Sequence, residues 1–186
     1  NRDILLFVGT LYKEKGIDSL LEHYLRASQY RKMPPLHIIG GGDGNDAVKK
    51  WIESHNQADS IIMHGPIYDE DRLAAFFQRS LACISPGQAG LSVLKALGYG
   101  TPFITMRNAI TGGERLNIQD GVNGVLYDKE SDLETILIDI SENKQKYIEM
   151  GQRAREYYLN CRTPKHMVDG LLKAISYCTH HESTSN

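Results

Sequence analysis

Residues 85–104 read SPGQAGLSVLKALGYGTPFI, and the reading of this stretch decides the fold. Just before it, Leu81-Ala82-Cys83-Ile84 is a short apolar run that fits a buried strand. Ser85, Pro86, Gly87 and Gln88 carry turn chemistry. A helical spacing follows, with Leu91, Leu94 and Leu97 on or near one face. Gly98-Tyr99-Gly100 stops it, and Pro102 opens the next apolar run. Strand, glycine loop, helix, strand is the order of a parallel sheet. Loop glycines let backbone N–H groups approach a ligand, and the helix N-terminus adds partial positive charge, which suits a phosphate. The same residues read equally well as a tight strand-to-helix turn with no ligand.

Outward from this stretch the order repeats. Residues 4–8 form a continuous apolar run closed by Gly9-Thr10, as in a strand buried on both faces. A polar loop leads to an amphipathic helix over about residues 17–28, with Leu20, Leu21 and Tyr24 inward. A second strand, 36–39, leaves through Gly40-Gly41-Gly42-Asp43-Gly44, glycines that permit close backbone approach. Their spacing matches a dinucleotide fingerprint only loosely. A helix over 46–55, a strand over 61–64 and a helix over 73–79 come next; Asp69, Glu70 and Asp71 read as capping and dipole residues. After the opening stretch come a strand at 103–105, a glycine-bearing segment at 107–121, a short strand at 125–127, and helices over 132–140, 143–160 and 164–177. The spacing therefore predicts an α/β domain: a doubly wound parallel sheet of about six strands with helices on both faces, spanning residues 1–178. Residues 179–186 read as a polar, disordered tail. Asn1-Arg2-Asp3 runs almost at once into a strand, which reads as a cut at a domain boundary.

With 186 residues the chain can bury about two-thirds or more of its unfolded surface. A formal net charge of −2 gives no pull toward nucleic acid. No apolar run approaches a membrane span, and no signal peptide opens the chain. Cys83, Cys161 and Cys178 lack metal-ligand spacing, Cys83 reads as a small core residue, and a reducing cytoplasm fits best. Ligands of doubly wound sheets gather at the C-terminal strand ends. Lys15 and the loops at 40–44, 64–67 and 87–92 all fall at those ends, which argues for a nucleotide-type site.

Five motifs in this order, FVGTLYKEKGIDSLLE, LHIIGGGDG, IIMHGPI, the stretch at 85–104 and DGVNGVLY, carry a resemblance. The chain resembles the C-terminal, donor-binding half of a GT-B-fold glycosyltransferase of glycosyltransferase family four (glycosyl transferases group 1). The resemblance implies a Rossmann-like domain and a nucleotide-diphosphate sugar as donor substrate. It further implies transfer with retention of anomeric configuration, no cofactor and no metal. An N-terminal, acceptor-binding domain absent from this chain would complete the enzyme. By resemblance the diphosphate is held by Gly9, Thr10, Lys15, Gly90, Leu91 and Ser92, and the sugar by Gly87, Gln88 and Ala89. The base and ribose fall to His64, Pro66, Ile67 and Lys95. His64 reads equally as a strand-end histidine, Lys15 as a solvated lysine, and residues 90–92 as a simple turn.

Two departures from the family pattern stand out. Thr10 replaces a second cationic group. Gly87 and Lys95 fall where the paired glutamates of the EX7E signature stand, the first touching the sugar and the second the ribose. Glycine offers only its backbone there, and a charged lysine cannot accept hydrogen bonds from a diol. Gln88 is a candidate for the lost sugar contact, and Glu114 is the one nearby carboxylate suited to a polar role. Arg107, Lys13 and Arg115 read as solvated charges.

The expected activity is hexosyl transfer in cell-envelope polysaccharide or glycoconjugate synthesis. The expected location is cytoplasmic, with peripheral contact at the inner face of the membrane and a lipid-linked glycan as an acceptor class. Rival readings are a nucleotide-sugar epimerase or a phosphorylase on the same fold, and a non-catalytic partner-binding module. The final helices are expected to pack on this domain. Apolar surface left open near Tyr157, Tyr158, Met167 and Leu171 is the alternative.

Overall fold

The structure, a computed structural model, describes residues 2–182. Its six strands are β1 (Ile4–Val8), β2 (Leu36–Ile39), β3 (Ile61–Met63), β4 (Ser80–Ile84), β5 (Phe103–Met106) and β6 (Gly124–Tyr127). All pair in parallel, in the order β3-β2-β1-β4-β5-β6. Chain order reverses direction across the sheet between β1 and β4, which is where open α/β sheets leave a crevice at their C-terminal ends.

Six helices cover the two faces, α1 (Ile17–Tyr30), α2 (Asn45–Ser54), α3 (Glu70–Arg79), α4 (Ser92–Gly98), α5 (Asp132–Glu142) and α6 (Lys144–Cys161), and α7 (Pro164–Glu182) follows them. β1 shows why its run is apolar throughout. Leu5 and Phe7 belong to the core beneath α1, α2 and α5, while Leu6 belongs to the core beneath α3, α4 and α6. All three are fully buried, so neither face of the strand tolerates a polar side chain. Loss of any one to alanine costs about 2–5 kcal/mol. Leu20, Leu21 and Tyr24 of α1 point inward as their spacing predicts. Cys83 is fully buried in β4 among apolar neighbours.

Three sequence expectations need correction. The inner face of α4 is Val93, Ala96 and Leu97, whereas Leu91 precedes the helix and is 81% exposed. Because the helix begins at Ser92, its buried positions follow the i, i+3, i+4 rule from Val93 rather than from Leu91. Second, α7 continues to Glu182, past the predicted start of a disordered tail at Thr179; residues 183–186 of that tail lie outside the described residues. The Thr179 hydroxyl donates to Ser176 O at 3.0 Å, a local bond that the helix accommodates. Third, α6 packs on α4, with Tyr157 and Tyr158 half-buried, but α7 contributes no buried residue over 164–179. Every residue from 164 to 179 is exposed, including Met167, Leu171, Leu172 and Ile175.

Candidate functional site

Two loops meet above the β1/β4 crevice, one from Gly9 to Gly16 and one from Ser85 to Leu91. They touch backbone to backbone. Gly16, at φ 74° in the left-handed region, starts α1, and a Cβ there would stand 2.9 Å from Gly87 N. A Cβ on Gly87 would stand 2.1 Å from Glu14 O, well inside van der Waals contact. Gly87 N donates to Lys15 O at 3.1 Å and closes the junction. Glycine at 87 is thus required by packing, and a glutamate at this position is sterically incompatible with the loop that carries Lys15.

The same junction aims Lys15. It ends a short 3₁₀ turn, Lys13–Lys15, and its side chain folds over Gly9, whose virtual Cβ would lie 3.1 Å from Lys15 Cε and 3.2 Å from Nζ. Lys15 is only 8% exposed, yet among the described residues its ammonium has neither a carboxylate partner nor a hydrogen-bond acceptor. Burial lowers its pKa below the usual lysine value, opposed by the Glu114 carboxylate across from it. Burial likewise raises the Cys83 thiol to about 12, so it stays protonated under Lys15. A buried cation without a partner is costly, and a bound anion relieves that cost.

Lys15 lines a cleft of about 550 Å³ together with Gly9, Thr10, Gln88, Gly90, Ser92 and Glu114. Leu91 and Lys95 form its outer rim. The amides of Gly90, Leu91 and Ser92 have no acceptor among the described residues, and a Cβ on Gly90 would meet nothing within 4 Å. Ser92 Oγ is buried without a partner among the described residues. Glu114 faces this cleft with Oε2 accepting from Gly112 N at 2.9 Å and from Thr111 Oγ1 at 3.2 Å. The Tyr12 hydroxyl donates to Gln88 Oε1, which leaves the Gln88 amide nitrogen as its free donor.

A second cleft, of about 440 Å³, shares Gly9 and Thr10 with the first and runs on along Gly40–Gly42 to Pro66, Ile67 and Tyr68. Its wall needs glycine at residue 40, where a Cβ would stand 1.8 Å from Gly9 O. The two clefts are continuous through the end of β1.

The structure brings together Gly9, Thr10, Lys15, Gln88, Gly90, Leu91, Ser92 and Glu114 in the first cleft, and Pro66 and Ile67 in the second. It does not bring in every expected residue. Ala89 is fully buried and its amide is taken by Ile110 O, and Gly87 has both its amide and its carbonyl bonded. The His64 ring turns from the clefts to face His37, with its Nε2 at 2.9 Å from His37 Nδ1, beside Phe76. Burial holds both imidazoles below the ordinary histidine value. Lys95 borders the first cleft rather than the second, and its ammonium pairs with both oxygens of Glu70, at 2.8 and 3.0 Å. Arg107 is tied to Asp120 and Asp128. Sequence reasoning missed Tyr12, Tyr68 and Glu70. Tyr12 and Tyr68 sit in loops at strand ends, the one available signal; the partner of Glu70 lies 25 residues away.

The family model for glycosyl transferases group 1 matches residues 1–157. The chain is 27% identical over 171 residues, 85% of its length, to the GtfA subunit of a UDP-N-acetylglucosamine–peptide N-acetylglucosaminyltransferase of Streptococcus gordonii, and covers 33% of that protein. It is 30% identical over 135 residues, 66% of its length, to a D-inositol 3-phosphate glycosyltransferase of Geodermatophilus obscurus, covering 29% of it. Among solved structures, pneumococcal O-GlcNAc transferase GtfA in complex with UDP and GlcNAc superposes with a TM-score of 0.80 at 20% identity, over 97% of this chain and 37% of that one. The C-terminal domain of the group 1 glycosyl transferase LpcC from Francisella tularensis superposes with a TM-score of 0.71 at 16% identity, over 86% of each chain. At these identities the superpositions establish a shared fold. The chain spans about a third of the length of the curated relatives it matches.

Proposed function

The chain belongs to the glycosyl transferases group 1 family, and on that premise we propose that it is the nucleotide-sugar-binding part of a retaining glycosyltransferase making cell-envelope polysaccharide or another glycoconjugate. One observation carries this reading: the nearly buried, unpartnered Lys15 ammonium facing a cleft floored by free backbone amides. That is the chemistry of a diphosphate pocket.

In this reading Lys15 and the amides of Gly90, Leu91 and Ser92 hold the donor diphosphate, with Gly9 allowing close approach and Thr10 adding a hydroxyl. Gln88 and Glu114 face the sugar, and Pro66 and Ile67 flank the base. As the bond between the anomeric carbon and the diphosphate oxygen breaks, negative charge grows on that oxygen, and the fixed cation and amides stabilise it. The acceptor oxygen bonds to the anomeric carbon on the same face, and its proton passes to the departing phosphate. No side-chain base is required for this balance. The remainder of the protein supplies the acceptor site, against which the exposed apolar residues of α7 pack. Cytoplasmic nucleotide sugars are the donor pool, and a lipid-linked glycan acceptor brings the enzyme to the inner face of the membrane. No helix among the described residues is long and apolar enough to cross it.

The test is a calorimetric titration with uridine, guanosine and adenosine diphosphates, followed by NMR assignment of the product anomer from the preferred donor. The uridine nucleotide is tried first because UDP occupies the GtfA structure. Binding of one nucleotide with retained configuration supports the reading. Absence of binding to all three removes it and leaves a partner-binding module; isomerised sugar without transfer points to an epimerase.

A further inference from the structure

Glu70 lines neither cleft itself, but its ion pair ties it to the rim of the first. It opens α3, two residues after Tyr68 on the rim of the second cleft, and its carboxylate reaches Lys95 on the rim of the first. Asp69 alone performs the capping that the acidic triplet suggests, accepting from Arg72 N at 2.8 Å. Glu70 is therefore free for another use.

We propose that Glu70, held by Lys95, reads the vicinal hydroxyls of the donor's ribose. This rests on the donor-binding reading above. A nucleoside diphosphate lying with its phosphates at Lys15 and its base beside Pro66 and Tyr68 must run its ribose past the junction of the two clefts. Lys95, which holds the Glu70 carboxylate, lines the first of these clefts, and Tyr68, two residues before Glu70, lines the second. A carboxylate is an acceptor-only group with about four lone-pair sites. Lys95 occupies one on each oxygen, at 2.8 and 3.0 Å, and leaves the outward sites for two hydroxyl donors. Lys95 has no acceptor and cannot serve those hydroxyls itself; it is a positioning residue that fixes the direction of the carboxylate. The pair adds little to folding, since the Glu70 side chain is 66% exposed and the Lys95 side chain 34%. Its geometry, one ammonium against both carboxylate oxygens, fixes the carboxylate across two helices. The buried, unpartnered Lys15 in the same cleft is the independent sign that an anionic ligand lies alongside.

The experiment compares, in the full-length protein, affinity for a ribonucleoside diphosphate with that for its 2′-deoxy counterpart, using uridine, guanosine and adenosine pairs. A hydrogen bond to a charged group predicts a preference of about tenfold to a hundredfold for the ribose form. Glu70→Gln should bind both forms alike, and the exchanged pair Glu70→Lys with Lys95→Glu should restore the preference by presenting the carboxylate from α4. Thermal midpoints of all variants should match the parent, because the pair is exposed. A preference that survives Glu70→Gln, or a parent protein that binds ribose and deoxyribose forms equally, overturns this assignment alone. Failure to bind any nucleoside diphosphate overturns the donor reading and this assignment together.

Discussion

Gly87→Ala isolates the contact between the two loops that aim Lys15. The added Cβ would lie 2.1 Å from Glu14 O, 3.0 Å from Glu14 C and 3.2 Å from Gly16 N. All three are backbone atoms, so no side-chain rotation relieves the clash. The loop must retreat, and Gly87 N then loses Lys15 O at 3.1 Å. Overpacking of this kind costs about 1–3 kcal/mol, and the lost hydrogen bond adds about 1 kcal/mol. For a domain of this size each kcal/mol lowers the thermal midpoint by about 2–4 °C, so the drop is about 4–16 °C. Gly90→Ala is the matched control. Its Cβ meets nothing within 4 Å, and its thermal midpoint should stay close to that of the parent. Paired thermal melts followed by circular dichroism decide the matter. Equal midpoints for Gly87→Ala and the parent would refute the claim that packing, not ligand chemistry, fixes glycine at this position.

Acidification tests the histidine pair: burial lowers both pKa values below 6.5, so the unfolded chain takes up protons first. Stability is then complete above about pH 6.5 and falls as the pH drops through the lowered folded values; Arg79 and Arg72 deepen the effect and Asp3 opposes it at His37. Urea midpoints across that range should slope less in His37→Asn than in the parent. Glu114→Ala should lower turnover by about tenfold or more by removing a charged contact to the sugar, while affinity for the nucleoside diphosphate alone is unchanged or higher, because a negative charge near Lys15 is gone. Light scattering should find the 186-residue chain self-associated through the apolar residues of α7, and a chain ending at Arg162 monomeric.

The sheet was legible because β1 and β4 are buried on both faces, which leaves the short continuous apolar runs of a parallel sheet, set between glycine loops and helical periods. Helix phase is less legible: Leu91 falls at helical spacing with Leu94 and Leu97, but α4 begins one residue later and leaves it exposed. Lys15 could be singled out by resemblance, but nothing local in Lys13-Glu14-Lys15 says which lysine is buried. That depends on a 3₁₀ turn pinned by Gly87, more than 70 residues away in sequence. The pairs Glu70–Lys95 and His37–His64 are non-local in the same way, the first joining α3 to α4 and the second joining β2 to the residue after β3. Exposure of α7 was hidden for another reason. Its leucines and methionine show a helical period whether the surface that covers them belongs to this domain or not.

Affinity for the preferred nucleoside diphosphate, measured by calorimetry on the parent and on Lys15→Met, bears most directly on the anion pocket. Methionine keeps the buried stem and removes the charge. The predicted result is a loss of about tenfold or more in affinity, with a thermal midpoint equal to or above that of the parent because an uncompensated buried cation is gone. Undiminished nucleotide affinity in Lys15→Met would contradict the account.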